Sequence, residues 1–230
     1  MATSPPIGPT GGARLSGHVY DQLKLRLLDG LYPGGTKLSV DQLRSEFNVS
    51  KQPVMDALRS LAADGLVEIF PQVGCSVRSY SKDDVEDFFL LVAGMEETIS
   101  GIAARKATPE RVRQLQAAFN KISHLSDHYT PEEIGRHYRL ANREFHSVIH
   151  DMAESALITG VSLRVWDLAD FMVHVVGAGA TFDRSIDERQ HDHKELLTAI
   201  AAGDEGKAKA VARAHMIHTG KMIFELSNNR

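Results

Sequence analysis

Asn142 and His146 stand four residues apart in the stretch NREFH, so a helix through them carries both on one face. His193 follows in HDHKELL and His215 in ARAH, each within its own run of helix-forming residues. An amide oxygen and three imidazoles are ligands for a divalent ion, and helices meeting at these residues would suit zinc, nickel or manganese. A histidine on a helix is more often a surface or satisfied core residue. His124, His128, His137, His150, His174, His191 and His218 are read that way, with His191 and His218 as the nearest substitutes for a ligand. The distribution is lopsided: of the 11 histidines only His18 precedes Ser79.

A different chemistry lies upstream, where residues 49–70 read VSKQPVMDALRSLAADGLVEIF. Ser50 is placed to cap a helix whose first turn is Ser50, Lys51, Gln52 and Pro53, and a helix N-terminus favours phosphate. Lys51 has the reach for a guanine edge or a phosphate, and Gln52 the donor and acceptor for adenine. Arg44 and Arg59 are further phosphate candidates. Gly74, with Gln72 and Val73 beside it, allows a backbone to approach a duplex closely. Asp41, Asp56 and Asp64 oppose this reading, because acids repel a phosphate backbone. Asp56 is taken as the solvated side of its helix.

The elements that must carry these residues follow from period and punctuation. Leu15, Val19, Leu23, Leu27 and Leu28 recur at helical spacing, and Gly30 stops that helix. Ser39 caps a short helix that Asn48 ends, and the next helix buries Val54, Leu58 and Leu61 before Gly65. Leu66–Phe70 and Cys75–Tyr80 read as strands around a Pro71–Gly74 turn. Three helices and a hairpin make a winged helix-turn-helix over residues 14–80, after a Pro- and Gly-rich tail, residues 1–13, that reads as disordered. From Ser81 to about residue 227 the period is helical throughout. Thr108-Pro109-Glu110 and Thr130-Pro131-Glu132-Glu133 each place a cap, a proline and an acid in order. Further helices are expected over about Ser155–Val176, Asp183–Ala202 and Asp204–Leu226. The fold expected is mainly α: the winged helix followed by an antiparallel six-helix bundle.

Composition limits the classes. The net charge of −4 divides into eight basic and seven acidic residues over Arg14–Arg78, and 18 basic and 23 acidic beyond. Hydrophobic content of 43% gives an ordinary globular balance. No apolar run approaches the roughly 18 residues that span a bilayer. Residues 1–13 lack the basic and apolar segments of a signal peptide. The single cysteine, Cys75, excludes an internal disulfide and fits a cytoplasmic protein.

Residues 14–80 resemble the winged-helix domain of the GntR family of bacterial transcription regulators. The resemblance is carried by Leu28-Asp29-Gly30-Leu31-Tyr32-Pro33-Gly34, Val49-Ser50-Lys51-Gln52-Pro53-Val54 and Asp64-Gly65-Leu66-Val67, with Ala57-Leu58, Leu61, Pro71, Gly74 and Val77 in order. The family usually has arginine where Lys51 and Met55 stand. Lys51 keeps the charge without the bidentate fork. Met55 is suited to a thymine methyl, which implies an altered operator.

Residues 84–224 resemble the FCD ligand-binding bundle of the FadR-type branch, and six bundle helices are similar to its VanR-like members. Met95-Glu96, Asn142-Arg143-Glu144-Phe145-His146, His193 with Leu196-Leu197, and Arg213-Ala214-His215 carry this match. It implies a divalent metal on Asn142, His146, His193 and His215, whose charge would attract a small organic acid effector. Relatives clasp that carboxylate with an arginine one turn before Glu96, where this chain has Val92. Arg105, Arg143 and Arg164 are the candidate replacements.

The function expected is a ligand-responsive repressor, homodimeric, reading operator DNA. A metal-dependent hydrolase shares the three-histidine shell, yet Glu144 would point away from it and no other general base is legible. A protein-binding winged-helix adaptor is the remaining alternative.

Overall fold

The computed structural model describes residues 11–175 and 186–225. The tail before Gly11 and the helix ends expected at Val176, Asp183 and Leu226 lie outside the described residues, as does the side chain of His174. Two compact units divide the chain, Met1–Ser79 and Tyr80–Arg230.

The first unit runs α1 (Gly11–Leu28), β1 (Lys37–Leu38), α2 (Val40–Phe47), α3 (Lys51–Ala63), β2 (Val67–Phe70) and β3 (Gly74–Val77). Helix α1 starts at Gly11, so residues 11–13 are helical where the sequence suggested tail. Its stripe Val19, Leu23 and Leu27 is fully buried, but Leu15 is 46% exposed. Val54, Leu58 and Leu61 of α3 are fully buried. Gly30 and Gly65 end α1 and α3 with φ of 71° and 80°. In each case the residue after the glycine bonds back across the last turn, Leu31 to Arg26 at 3.0 Å and Leu66 to Leu61 at 3.0 Å. The sheet order is β1-β3-β2, all antiparallel. Strand β1 was not legible: two residues give no alternation to read, and only the pairing of Lys37 with Ser76 and of Leu38 with Cys75 defines it.

The second unit is helical: α4 (Lys82–Arg105), α5 (Pro109–Ser123), a single 3₁₀ turn (Leu125–Asp127), α6 (Pro131–Met152), α7 (Ala156–Val175), α8 (Ile186–Ala201) and α9 (Glu205–Glu225). Ser81 and Asp84 form a reciprocal capping box before α4. Thr108 accepts from the Arg111 N–H at 3.3 Å, and Glu133 accepts from the Thr130 N–H at 3.1 Å. Helix α4 packs most extensively along α9. Its buried positions include Val85, Phe89, Val92, Glu96, Ile99 and Ala103, a heptad-like stripe interrupted by one acid. Phe145 and Ile149 of α6, Leu115 of α5 and Leu196 and Ile200 of α8 fill the core beside it. Among the described residues no helix is long and apolar enough to cross a membrane.

Candidate functional site

The first turn of α3 stands clear of its own unit. Ser50, Lys51 and Gln52 are exposed, and Met55 is half-buried. Ser50 holds the N-cap position with extended backbone, but its side chain makes no cap bond. The hydroxyl expected to close the helix therefore remains available to an outside acceptor. Pro53 is buried and shapes the turn; it offers no surface to a ligand.

The three acids that counted against nucleic acid are engaged within the unit. Asp41 pairs with Arg44 at 3.1 Å, and Asp64 accepts from the Tyr20 hydroxyl at 2.5 Å. Asp56 is not merely the wet side of α3. Its Oδ1 accepts from Gln52 Nε2 at 2.8 Å and from Arg59 Nη1 at 2.8 Å, tying two candidate contacts together along one helix face. At the hairpin tip Gln72 and Gly74 take φ of 62° and 140°, and Val73 is 81% exposed.

In the second unit His146 of α6, His193 of α8 and His215 of α9 converge, one ring nitrogen of each lying within 4.8 Å of the others. All three are buried. Their Nδ1 atoms face polar partners: Glu96 Oε2 at 3.5 Å from His146, Gln190 Oε1 at 2.8 Å from His193, and Asp192 Oδ2 at 3.0 Å from His215. Their Nε2 atoms are buried with no hydrogen-bond partner. Burial holds all three rings in the neutral form: His146 and His193 titrate below the ordinary 6.5 and His215 is pushed down to about 4. Neutral imidazoles with unpartnered nitrogens, two of them steadied at Nδ1 by Gln190 and Asp192, fit a divalent ion. Asn142 lies buried one turn before His146, its Oδ1 3.5 Å from the Tyr138 hydroxyl.

Glu96 escaped the sequence reading as a site residue. Fully buried, it accepts from Trp166 Nε1 at 2.8 Å and meets His150 Nε2 at 2.7 Å besides facing His146. These histidine contacts hold its carboxyl well below the usual range against the cost of burial. His150, read from sequence as an ordinary histidine, belongs to this group. The legible signal was an acid inside the apolar stripe of α4. The substitutes do not enter the centre: His191 is exposed, and His218 is exposed with Glu188 3.9 Å away.

A cavity of about 570 Å³, its open mouth included, adjoins the centre at Asn142 and Trp166. None of the three arginines proposed from sequence lines it. Arg105 is exposed and pairs with Glu205 at 3.1 Å, while Arg164 is exposed on α7. Arg143 is taken up by Asp167 at 2.5 Å and Asp170 at 2.9 Å, beside a separate cavity between α6 and α7. Each was chosen by position along the chain, which does not say which helix covers it. The cations that do line the cavity are Arg139 and Arg189, both buried. Glu144, the acid beside the Asn142 and His146 pair, is exposed and binds Lys121.

A winged helix joined to a helical bundle with a buried ligand-type centre defines a class: DNA-binding regulators that carry a sensing domain. Comparison gives the family. Residues 15–77 match "Bacterial regulatory proteins, gntR family", and residues 87–218 match the "FCD domain". The chain belongs to the GntR family of transcriptional regulators, in its FCD-containing branch, and is not an enzyme. It is 26% identical to a probable D-xylose utilization operon transcriptional repressor of Paenarthrobacter nicotinovorans, over 88% of this chain and 85% of that one. The HTH-type transcriptional repressor GlaR of Escherichia coli is also 26% identical, over 86% of this chain and 90% of its own. In fold, the chain resembles E. coli McbR/YncC with a TM-score of 0.75 at 19% identity, covering 92% of this chain and 98% of that one.

Proposed function

We propose that this regulator is a repressor, homodimeric and cytoplasmic, whose bundle holds a divalent metal and a small carboxylate effector. The observation that carries the sensing half is the trio of buried imidazoles with their Nε2 atoms unpartnered. An orphaned polar atom in a core costs free energy unless something fills its lone pair. His146, His193 and His215 would hold the ion, with Asn142, one turn before His146 on α6, as the fourth ligand. Bound there, the metal would supply a concentrated positive charge that draws in an anion.

In the DNA-reading half, Lys51 and Gln52 would enter the major groove, with Ser50, Arg44 and Arg59 toward phosphates and Gln72 and Gly74 at the wing. Two such helices in a dimer would read a near-palindromic site. Effector binding would act by shifting the population of arrangements the dimer can present to that site. The partly repressor names of the relatives support the direction of control.

Elemental analysis of protein purified without a histidine tag tests the metal. The expected result is about one zinc, nickel or manganese per chain, lost in His146→Ala. A wild type free of metal, or a variant that keeps it, overturns this half of the proposal.

A further inference from the structure

We infer that Glu96 of α4 is a positioning residue for the metal: it keeps the proton of His146 on Nδ1 and so leaves Nε2 as the lone pair offered to the ion. This rests on the reading of the bundle as a metal-binding domain and deepens it.

A neutral imidazole has one N–H and one lone pair, and only the lone pair binds a metal. The partner of one nitrogen decides which of the two carries the proton. For His215 that partner is the Asp192 carboxylate, which accepts from Nδ1 at 3.0 Å. For His193 it is Gln190 Oε1, at 2.8 Å. The Gln190 amide is turned that way because its Nε2 donates to Ser123 Oγ at 2.8 Å and to the Phe119 carbonyl at 3.4 Å. Both rings therefore carry the N–H at Nδ1, and their Nε2 atoms are left without a partner.

His146 has no such bond. Both its nitrogens are buried and unpartnered, and so is Glu96 Oε2, which lies 3.5 Å from Nδ1. The other oxygen of Glu96 is engaged. Oε1 accepts from Trp166 Nε1 at 2.8 Å, and an indole nitrogen can only donate. His150 Nε2 lies 2.7 Å from the same oxygen. Burial opposes a charge on Glu96, yet the histidine contacts hold its carboxyl well below the usual range, so both oxygens act as acceptors. An acceptor facing Nδ1 favours the tautomer with the proton on that nitrogen. The Trp166 ring, 4.4 Å from the His146 ring, covers the imidazole as well as aligning the carboxylate. Glu96 would also set a negative charge behind a centre whose ligands, Asn142 and the histidines, are neutral.

Glutamine at this position reverses the signal. Trp166 still needs an acceptor, so the amide oxygen takes the place of Oε1 and the NH₂ group faces His146. A donor facing Nδ1 requires the lone pair there, which moves the proton to Nε2, where the ion would bind.

The test is proton–nitrogen correlation NMR of the full-length protein labelled at histidine, in the presence of a chelator, with His146→Gln identifying the His146 signals. Wild type is expected to carry the His146 proton on Nδ1, and Glu96→Gln to carry it on Nε2. Zinc affinity, read by competition with a chromogenic chelator, should fall about tenfold or more in Glu96→Gln. Glu144→Gln, which alters an exposed acid on the same helix as His146, should leave it unchanged. If the wild type carries the proton on Nε2, the inference fails whether or not the variant folds. If Glu96→Gln folds and keeps the wild-type tautomer, or binds zinc as tightly as the wild type, it fails as well. If the wild type shows Nδ1–H but takes up no zinc, the metal reading falls and the proton assignment stands.

Discussion

Asp56 on α3 and Glu96 on α4 are both carboxylates that gather several partners, and they do so under opposite conditions. Asp56 has a side chain 44% exposed, and its partners Gln52 and Arg59 lie on its own helix, one turn to either side. Water competes for every bond it makes, so such contacts contribute little to stability. Glu96 has no contact with solvent, and its partners come from other helices: His146 and His150 from α6, Trp166 from α7. There the interactions are strong, and an unmatched member is costly. The first arrangement can be exchanged for contacts to a duplex at small cost. The second holds a pre-set centre together.

Four measurements would break or sharpen that contrast. The largest effect is expected for Glu96→Ala, which strands His146, His150 and the Trp166 N–H in the core: a loss of about 3–5 kcal/mol in urea unfolding. A loss under about 1 kcal/mol would put Glu96 in the same category as Asp56.

Next comes pH, measured in the presence of a chelator. The imidazoles of His146, His193 and His215 are depressed below 6.5 in the fold, the last to about 4. Above pH 6.5 neither the folded nor the unfolded chain protonates them, and stability is complete. As pH falls from about 6.5 toward about 4, the unfolded chain takes up protons that the fold refuses, so stability falls, by about 1.4 kcal/mol per unit of depression. Thermal midpoints across that window measure it, and a flat profile would remove the case for neutral, ligand-ready rings.

Lys51→Ala is expected to weaken binding to an operator selected from random duplexes at least tenfold in a gel shift, with an unchanged thermal midpoint. Unchanged affinity would displace Lys51 from the interface. The smallest effect on stability belongs to Asp56→Ala, within about 0.5 kcal/mol. Its consequence should be in base preference, because Gln52 loses the bond that orients its amide. Repeating the selection with this variant would show a relaxed motif, and an identical motif would return Asp56 to the role of a solvated acid.

Much of the fold was open to reading because its rules are local. The caps at Ser39, Ser81 and Thr108, the glycine stops at Gly30 and Gly65, and the stripe Val54, Leu58 and Leu61 depend on residues within a turn or two of one another. The cap bond expected of Ser50 did not form, since an N-cap position permits that bond without requiring it. Leu15 matched the α1 stripe, yet it lies beyond what the unit covers.

The sequence by itself determined the winged helix and the helical character of the bundle, and it singled out Lys51, Gln52 and the three histidines as candidates; their meeting at one point came from the fold. Helical spacing assigns each residue to a face of its own helix, and residue type says what that face can bind. Only the tertiary structure decided which faces meet. It joined Glu96 to His146, His150 and Trp166, and it put Arg139 and Arg189 on the cavity in place of Arg105, Arg143 and Arg164. It also turned the α4 wall at Val92 into hydrocarbon facing a guanidinium. The physical reason is that the helix covering a given face is set by packing across the whole bundle, through contacts between residues distant in the chain, and no local spacing records them.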